Sequence, residues 1–284
     1  MSSVLVMRRG GLGDTLLLLP VLRALRRARP GVELHFAGVL EFADVLRDRG
    51  VVDRVHSSES FATWRLATDE GSTALARLRE FALVVTDDPT VAAAARPGTV
   101  VRVFDTVSRG DEPFALQLAR RLELATEWPD DARLEAPRRA TGGPIVLAPG
   151  SGGMTKCWPR ERWLELANAL ALRGHAVDVV VGPTEIERDD PRRWSWPVRT
   201  TFVADLSVVA LAHRLATARV FVGNDSGTTH LAAMLGVPTI VLFGPTDPRV
   251  WAPPFPEVVV LRSPTGAVAT IASDDVVRAL DRSL

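Results

Sequence analysis

A chain of 284 residues has room for two domains of roughly 100–150 residues each. Apolar residues supply 46% of it and charged residues 24%, a globular balance that excludes wholesale disorder. Basic and acidic side chains number 34 each, so no excess of positive charge exists to grip nucleic acid without regard to sequence.

From the N-terminus, Val4–Met7 reads as a buried strand and Thr15–Arg29 as an amphipathic helix that Pro20 must start or kink. Glu33–Ala37 is a second strand, Phe42–Arg49 a second helix and Val51–Val55 a short edge strand. Thr73–Glu80 reads as helix, Leu83–Thr86 as a strand ending at Asp87-Asp88-Pro89, and Val100–Phe104 as the last strand of this half. A helix over Pro113–Glu123 follows. From Glu127 to Gly143 aliphatic residues almost vanish among Pro129, Pro137, Gly142 and Gly143, the pattern of a linker. The alternation then restarts: strand Ile145–Ala148, helix Arg160–Arg173, strand Ala176–Val181 and a helix near Val208–Ala216. Strand Val220–Val222, helix Ser226–Leu235, strand Thr239–Phe243 and an amphipathic tail helix over Asp274–Leu284 complete it. Strands alternating with helices predict parallel α/β sheets, which bind ligands beyond the carboxyl ends of their strands. The expected division is 1–135 for the first domain, 136–143 for the linker and 144–284 for the second. The last helix is free to pack back on the first domain.

No stretch approaches the roughly 18 apolar residues that span a bilayer. The charges at Arg8 and Arg9 follow the first apolar stretch, the reverse of a signal peptide. The single cysteine, Cys157, cannot form an internal disulfide, so a reducing cytoplasm is the expected compartment. These features leave a peripheral membrane contact open. Lys156 is the one lysine; every other basic residue is arginine.

Four segments carry chemistry. In Arg8-Arg9-Gly10-Gly11-Leu12-Gly13-Asp14, glycines let the backbone turn sharply between strand and helix. The spacing misses the dinucleotide fingerprint, and a carboxylate here would repel a pyrophosphate. Asp14 is either a helix cap or a general base for a hydroxyl proton. In Pro149-Gly150-Ser151-Gly152-Gly153-Met154-Thr155-Lys156, hydroxyls and glycine N–H groups can cradle phosphate oxygens while Lys156 adds a point charge. The spacing is not that of a Walker ATPase, and the plainer reading is a surface loop with a solvated lysine. In Asn224-Asp225-Ser226-Gly227-Thr228-Thr229-His230, a capped helix start presents an anion site, with His230 one turn after Ser226. Gly244-Pro245-Thr246-Asp247-Pro248 is a rigid turn or a ligand contact at a strand end.

Together, Arg8-x-Gly10-x-Leu12-Gly13-Asp14, Lys156-x-Trp158-Pro159, Asp225-Ser226-Gly227-x-x-His230-Leu231-Ala232-Ala233 and Gly244-Pro245-Thr246-Asp247-Pro248 resemble glycosyltransferase family 9. These are the ADP-heptose:lipopolysaccharide heptosyltransferases, and the resemblance runs in order along nearly the whole chain. It implies a GT-B fold, two Rossmann-like domains with parallel sheets facing across a cleft. The donor would lie in the C-terminal domain and the acceptor mainly in the N-terminal one. It further implies inverting, metal-independent transfer of a heptose-like sugar from an ADP-sugar to a glycan or small-molecule hydroxyl, with no cofactor. Asp14 would be the base, with Arg8, Gly11 and Gly13 on the acceptor side. Lys156 would offset charge on the departing ADP. Ser151, Gly152, Thr155, Asp225, Ser226, Gly227 and His230 would contact diphosphate and sugar. Glu185, with Glu187 as its rival, would hold the ribose, and Leu206 would lie against the adenine. The alternatives are a nucleotide-sugar epimerase or hydrolase on the same fold and a natural-product glycosyltransferase with a different donor.

Overall fold

In the computed structural model, which describes residues 3–61, 63, 76–94, 99–137 and 142–284, the chain divides into two compact units at Ala132/Arg133. The first unit is built on Ser3–Met7 (β1), four of whose five residues are buried. It is the middle strand of a parallel sheet ordered β3-β2-β1-β4-β5, where β2 is Glu33–Gly38, β3 Arg54–Ser57, β4 Leu83–Thr86 and β5 Val100–Val103. Central parallel strands are covered on both faces, which is why β1 and β4 read as unbroken apolar runs.

The first long helix is two helices, Leu12–Leu16 and Leu19–Ala28, because Pro20 occupies the first turn of the second, where its missing N–H costs nothing. The expected edge strand over Val51–Val55 is displaced to Arg54–Ser57. Val51 and Val52 donate their N–H groups to the Leu46 carbonyl and close the Leu40–Asp48 helix instead. Residues 73–75 of the expected Thr73–Glu80 helix lie outside the described residues.

The linker expectation needs correction. Asp131 is buried in a short 3₁₀ turn, Asp130–Ala132, and its carboxylate receives both terminal nitrogens of Arg27 at 2.5 Å, so this part of the segment is docked on the first unit. Arg133–Glu135, expected in the first domain, belong to the second unit. The N–H groups of Leu134 and Glu135 bond to the Met234 carbonyl, and Arg133 pairs with Glu257 over the Phe255 ring. Residues 138–141 of the expected 136–143 linker lie outside the described residues.

The second unit holds six parallel strands in the order β11-β10-β9-β6-β7-β8. They are Ile145–Ala148 (β6), Val177–Val181 (β7), Thr200–Ala204 (β8), Val220–Asn224 (β9), Thr239–Phe243 (β10) and Val258–Arg262 (β11). The last helix, Ser273–Ser283, buries Val276, Val277, Ala279 and Leu280 in this unit's own core beside the Arg160–Leu172 helix. These four residues thus belong to the second unit's core cluster. Among the described residues, no helix is long and apolar enough to cross a membrane.

Candidate active site

In the first unit, β1 and β4 run side by side with Met7 paired to Thr86, so the residues that follow them meet at the carboxyl edge. Arg8 leaves β1 there and is nearly buried, its side chain 11% exposed. Its two terminal nitrogens split between carboxylates, Nη2 to Asp14 Oδ1 at 2.6 Å and Nη1 to Asp87 Oδ2 at 2.6 Å. The other oxygen of Asp14 accepts the Gly11 N–H at 2.9 Å, so Asp14 supports the helix start from its third position, with Gly11 as the N-cap. Its side chain remains 40% exposed, so this bond leaves the carboxylate accessible. Gly10 is required beside it, since a Cβ there would stand 2.6–2.7 Å from the Asp14 carboxylate. Of the residues predicted here, Arg8 and Gly11 bond to Asp14, and Gly13 lies in the same helical turn. Asp87 was not singled out, although an acid directly after an apolar strand was the available signal.

In the second unit the centre is Asp225, at the end of β9. Its carboxylate Oδ2 receives Lys156 Nζ at 2.9 Å and the Thr246 hydroxyl at 2.7 Å, while its carbonyl accepts the Ser151 hydroxyl at 2.8 Å. Three separate sequence segments are thus joined on one residue, the fourth among them through the Thr246 hydroxyl. Neighbouring Asn224, fully buried, donates to the Pro149 carbonyl and accepts the Trp158 N–H, which fixes the loop carrying Lys156 against β9. Ser226 caps the Gly227–Met234 helix by accepting the Thr229 N–H, leaving the first turn directed at the site.

His230 lies within that helix, 5% exposed, and its Nδ1 has no hydrogen-bond partner among the described residues. Burial pushes its proton affinity below the ordinary value for histidine; the nearby Asp225 carboxylate opposes this and Lys156 adds to it. The ring is accordingly neutral.

The Pro183–Asp189 helix follows β7. Glu185 reaches back so that Oε2 accepts the Gly182 N–H at 2.8 Å, and its carboxylate covers Gly150 so closely that a Cβ there would fall 1.9 Å from Oε1. Glu187, its rival, is exposed further along. Gly152 and Thr155 are exposed on the lysine loop, and Leu206 is 43% exposed just beyond β8. Arg188, which the sequence did not single out, donates to the carbonyls of Ser151 and Gly152, each at 3.0 Å. A pocket of ≈ 200 Å³ opens beside the loop, walled in part by Met154, Trp158, Glu185, Arg188, Pro191 and Trp194. Among the described residues, no group of three or more His, Cys, Asp or Glu side chains is arranged to hold a metal ion.

The profile of glycosyltransferase family 9 (heptosyltransferase) matches residues 74–279. The chain belongs to glycosyltransferase family 9. As a family 9 glycosyltransferase it is 30% identical to lipopolysaccharide heptosyltransferase 1 of Pseudomonas aeruginosa, across 86% of this chain and 79% of that protein. Among solved structures, the family 9 glycosyltransferase of Veillonella parvula superposes with a TM-score of 0.78 at 16% identity, covering 99% of this chain and 97% of that one. The E. coli heptosyltransferase WaaC with ADP gives a TM-score of 0.73 at 22% identity, covering 99% and 100%. At such identities the structural likeness speaks for the fold, and that fold is GT-B. Membership of a transferase family sets aside the epimerase or hydrolase reading.

Proposed function

We propose that this glycosyltransferase moves a heptose-like sugar from an ADP-sugar donor to a hydroxyl of a glycan or small-molecule acceptor in the cytoplasm. The observation that carries the donor half is strand order. Across the carboxyl edge from β9 through β6 and β7 to β8 stand Asp225 and Ser226, then Ser151 and Lys156, then Glu185, then Leu206. Neighbouring strands lie about 4.8 Å apart, so these residues are spread over roughly 14 Å, the length of an extended nucleoside diphosphate. Their chemistry changes in the same order: cation, hydroxyl and helix start for diphosphate, a carboxylate for ribose hydroxyls, an exposed aliphatic for a base. The sugar follows from the relatives, which are heptosyltransferases.

In this reading Asp14 takes the proton of the acceptor hydroxyl. The oxygen attacks the anomeric carbon from the face opposite the nucleotide, and the bond to the diphosphate breaks with inversion. Charge gathering on the departing ADP is met by Lys156 and by N–H groups at the start of the Gly227–Met234 helix, with no metal required. Gly152, Thr155, Gly227 and His230 complete the diphosphate and sugar contacts. Arg8, Gly11 and Gly13 shape the acceptor side around the base.

A thermal-shift screen of ADP, GDP, UDP and dTDP tests the donor assignment, because a bound nucleotide raises the apparent melting temperature. ADP should give the largest shift. Preference for another nucleotide would favour a natural-product glycosyltransferase with a different donor. Dialysis against EDTA should leave transfer from the ADP-sugar unchanged, and restoration by an added divalent ion would overturn metal independence.

A further inference from the structure

Arg188 holds the diphosphate loop by its carbonyls. Its Nη1 donates to the Ser151 carbonyl and Nη2 to the Gly152 carbonyl, both at 3.0 Å, so one guanidinium fork spans two consecutive peptide groups. In a planar trans peptide, the carbonyl of one residue and the N–H of the next point in opposite directions. Binding these two carbonyls therefore turns the N–H groups of Gly152 and Gly153 away from the Pro183–Asp189 helix. Neither glycine is wedged by its neighbours: a Cβ on Gly152 would meet nothing within 4 Å, and a Cβ on Gly153 would touch only the Lys156 side chain, at 3.7–4.0 Å. Two glycines in succession impose little conformational preference of their own, so an outside clamp must fix the direction of their peptides.

Arg188 lies one turn after Glu185 on the same helix, and positions three apart share a face. A single short helix thus delivers the carboxylate assigned to the ribose and the guanidinium that sets the neighbouring loop. The fork is needed for this, since an ammonium is a single point donor group and does not match two carbonyls at fixed separation.

We propose that Arg188 is a positioning residue that aims the Gly152 and Gly153 N–H groups at the donor diphosphate. The proposal rests on the donor reading above. It predicts discrimination between ligands that carry the diphosphate and ligands that do not.

The test is the affinity of the full-length enzyme for ADP and for adenosine, measured by calorimetry or ligand-observed NMR on wild type, Arg188→Ala and Arg188→Lys. ADP affinity should fall about tenfold in Arg188→Ala and less in Arg188→Lys, about the worth of one ordinary N–H···O bond lost when the loop is no longer aimed. Adenosine affinity should stay at the wild-type level in both. A parallel fall of ADP and adenosine would show that Arg188 merely supports the unit's structure, and an unchanged ADP affinity would show that the loop needs no clamp; either overturns the proposal. If Arg188→Ala does not fold, Arg188→Lys carries the same comparison. Failure of the wild type to bind ADP would instead overturn the donor reading, and the proposal with it.

Discussion

Lys156 Nζ and Asp225 Oδ2 stand 2.9 Å apart, so the protein's one ammonium side chain is held by a carboxylate that is itself only 7% exposed. The pair presets the lysine beside the start of the Gly227–Met234 helix, and the Thr246 hydroxyl takes a second share of the same oxygen.

Lys156→Ala therefore has two separable consequences. ADP affinity should drop several-fold because a cation leaves the diphosphate site. The melting temperature should also fall, because a buried carboxylate loses its charged partner at a cost of roughly 1–3 kcal/mol. Adding Asp225→Asn to Lys156→Ala should restore much of the melting temperature and none of the ADP affinity. Thermal melts and calorimetry on the single and double variants measure the two effects. Equal ADP affinity in wild type and Lys156→Ala would remove the lysine from the site.

Asp14→Asn should keep the wild-type affinity for ADP, since Asp14 belongs to the other unit, yet lose transfer by about 10²–10⁴-fold, the usual share of a general base. The comparison needs calorimetry for ADP and a turnover assay with an ADP-sugar. Normal turnover would leave Asp14 as a support for its helix start alone, the role its bond from the Gly11 N–H already gives it.

Gly150→Ala should weaken ADP binding by about tenfold, because the new methyl would occupy the place of the Glu185 carboxylate and force it aside. Gly142→Ala is the matched control: nothing lies within 4 Å of its added Cβ and its backbone conformation suits alanine. Binding isotherms for the two variants decide the matter, and indistinguishable affinities would dissociate Glu185 from the nucleotide.

Stability should depend on pH through His230. Burial lowers its folded-state proton affinity, so the unfolded chain takes up a proton first as pH falls. The contribution of the neutral ring is fully present above the unfolded value of about 6.5 and is lost progressively below it. Chemical unfolding curves at intervals between about pH 5 and 7.5 should show wild type losing stability on the acid side of this window. His230→Gln should show a shallower slope. Identical slopes would mean that the ring gains its proton without unfolding the chain.

Much of this was legible in the sequence because parallel strands covered on both faces are written as unbroken apolar runs. Val4–Met7, Ile145–Ala148 and Thr239–Phe243 are examples, each fully buried. The edge strands Thr200–Ala204 and Val258–Arg262 escaped notice for the complementary reason: each is partly exposed and carries no such run of buried positions. Val51 and Val52 misled because an apolar pair can close a helix as well as extend a strand. Within the candidate site, Asp14, Lys156 and Asp225 stood out because strand, turn and helix signals bracket them locally. Asp87 and Arg188 did not, since their roles rest on partners 79 and 37 residues away in sequence. Such contacts are decided by strand order, and strand order is not written in any local pattern.

Cys157 acquires a practical use from its place. It is the chain's one thiol, half-buried in the wall of the pocket beside the lysine loop, with its Sγ 3.6 Å from the Gly153 carbonyl and its ionisation pushed up by burial. A thiol-directed dye therefore has a single address on this protein. Its rate of attachment reports how often the loop loosens, and a bound nucleotide that stiffens the loop slows the clock.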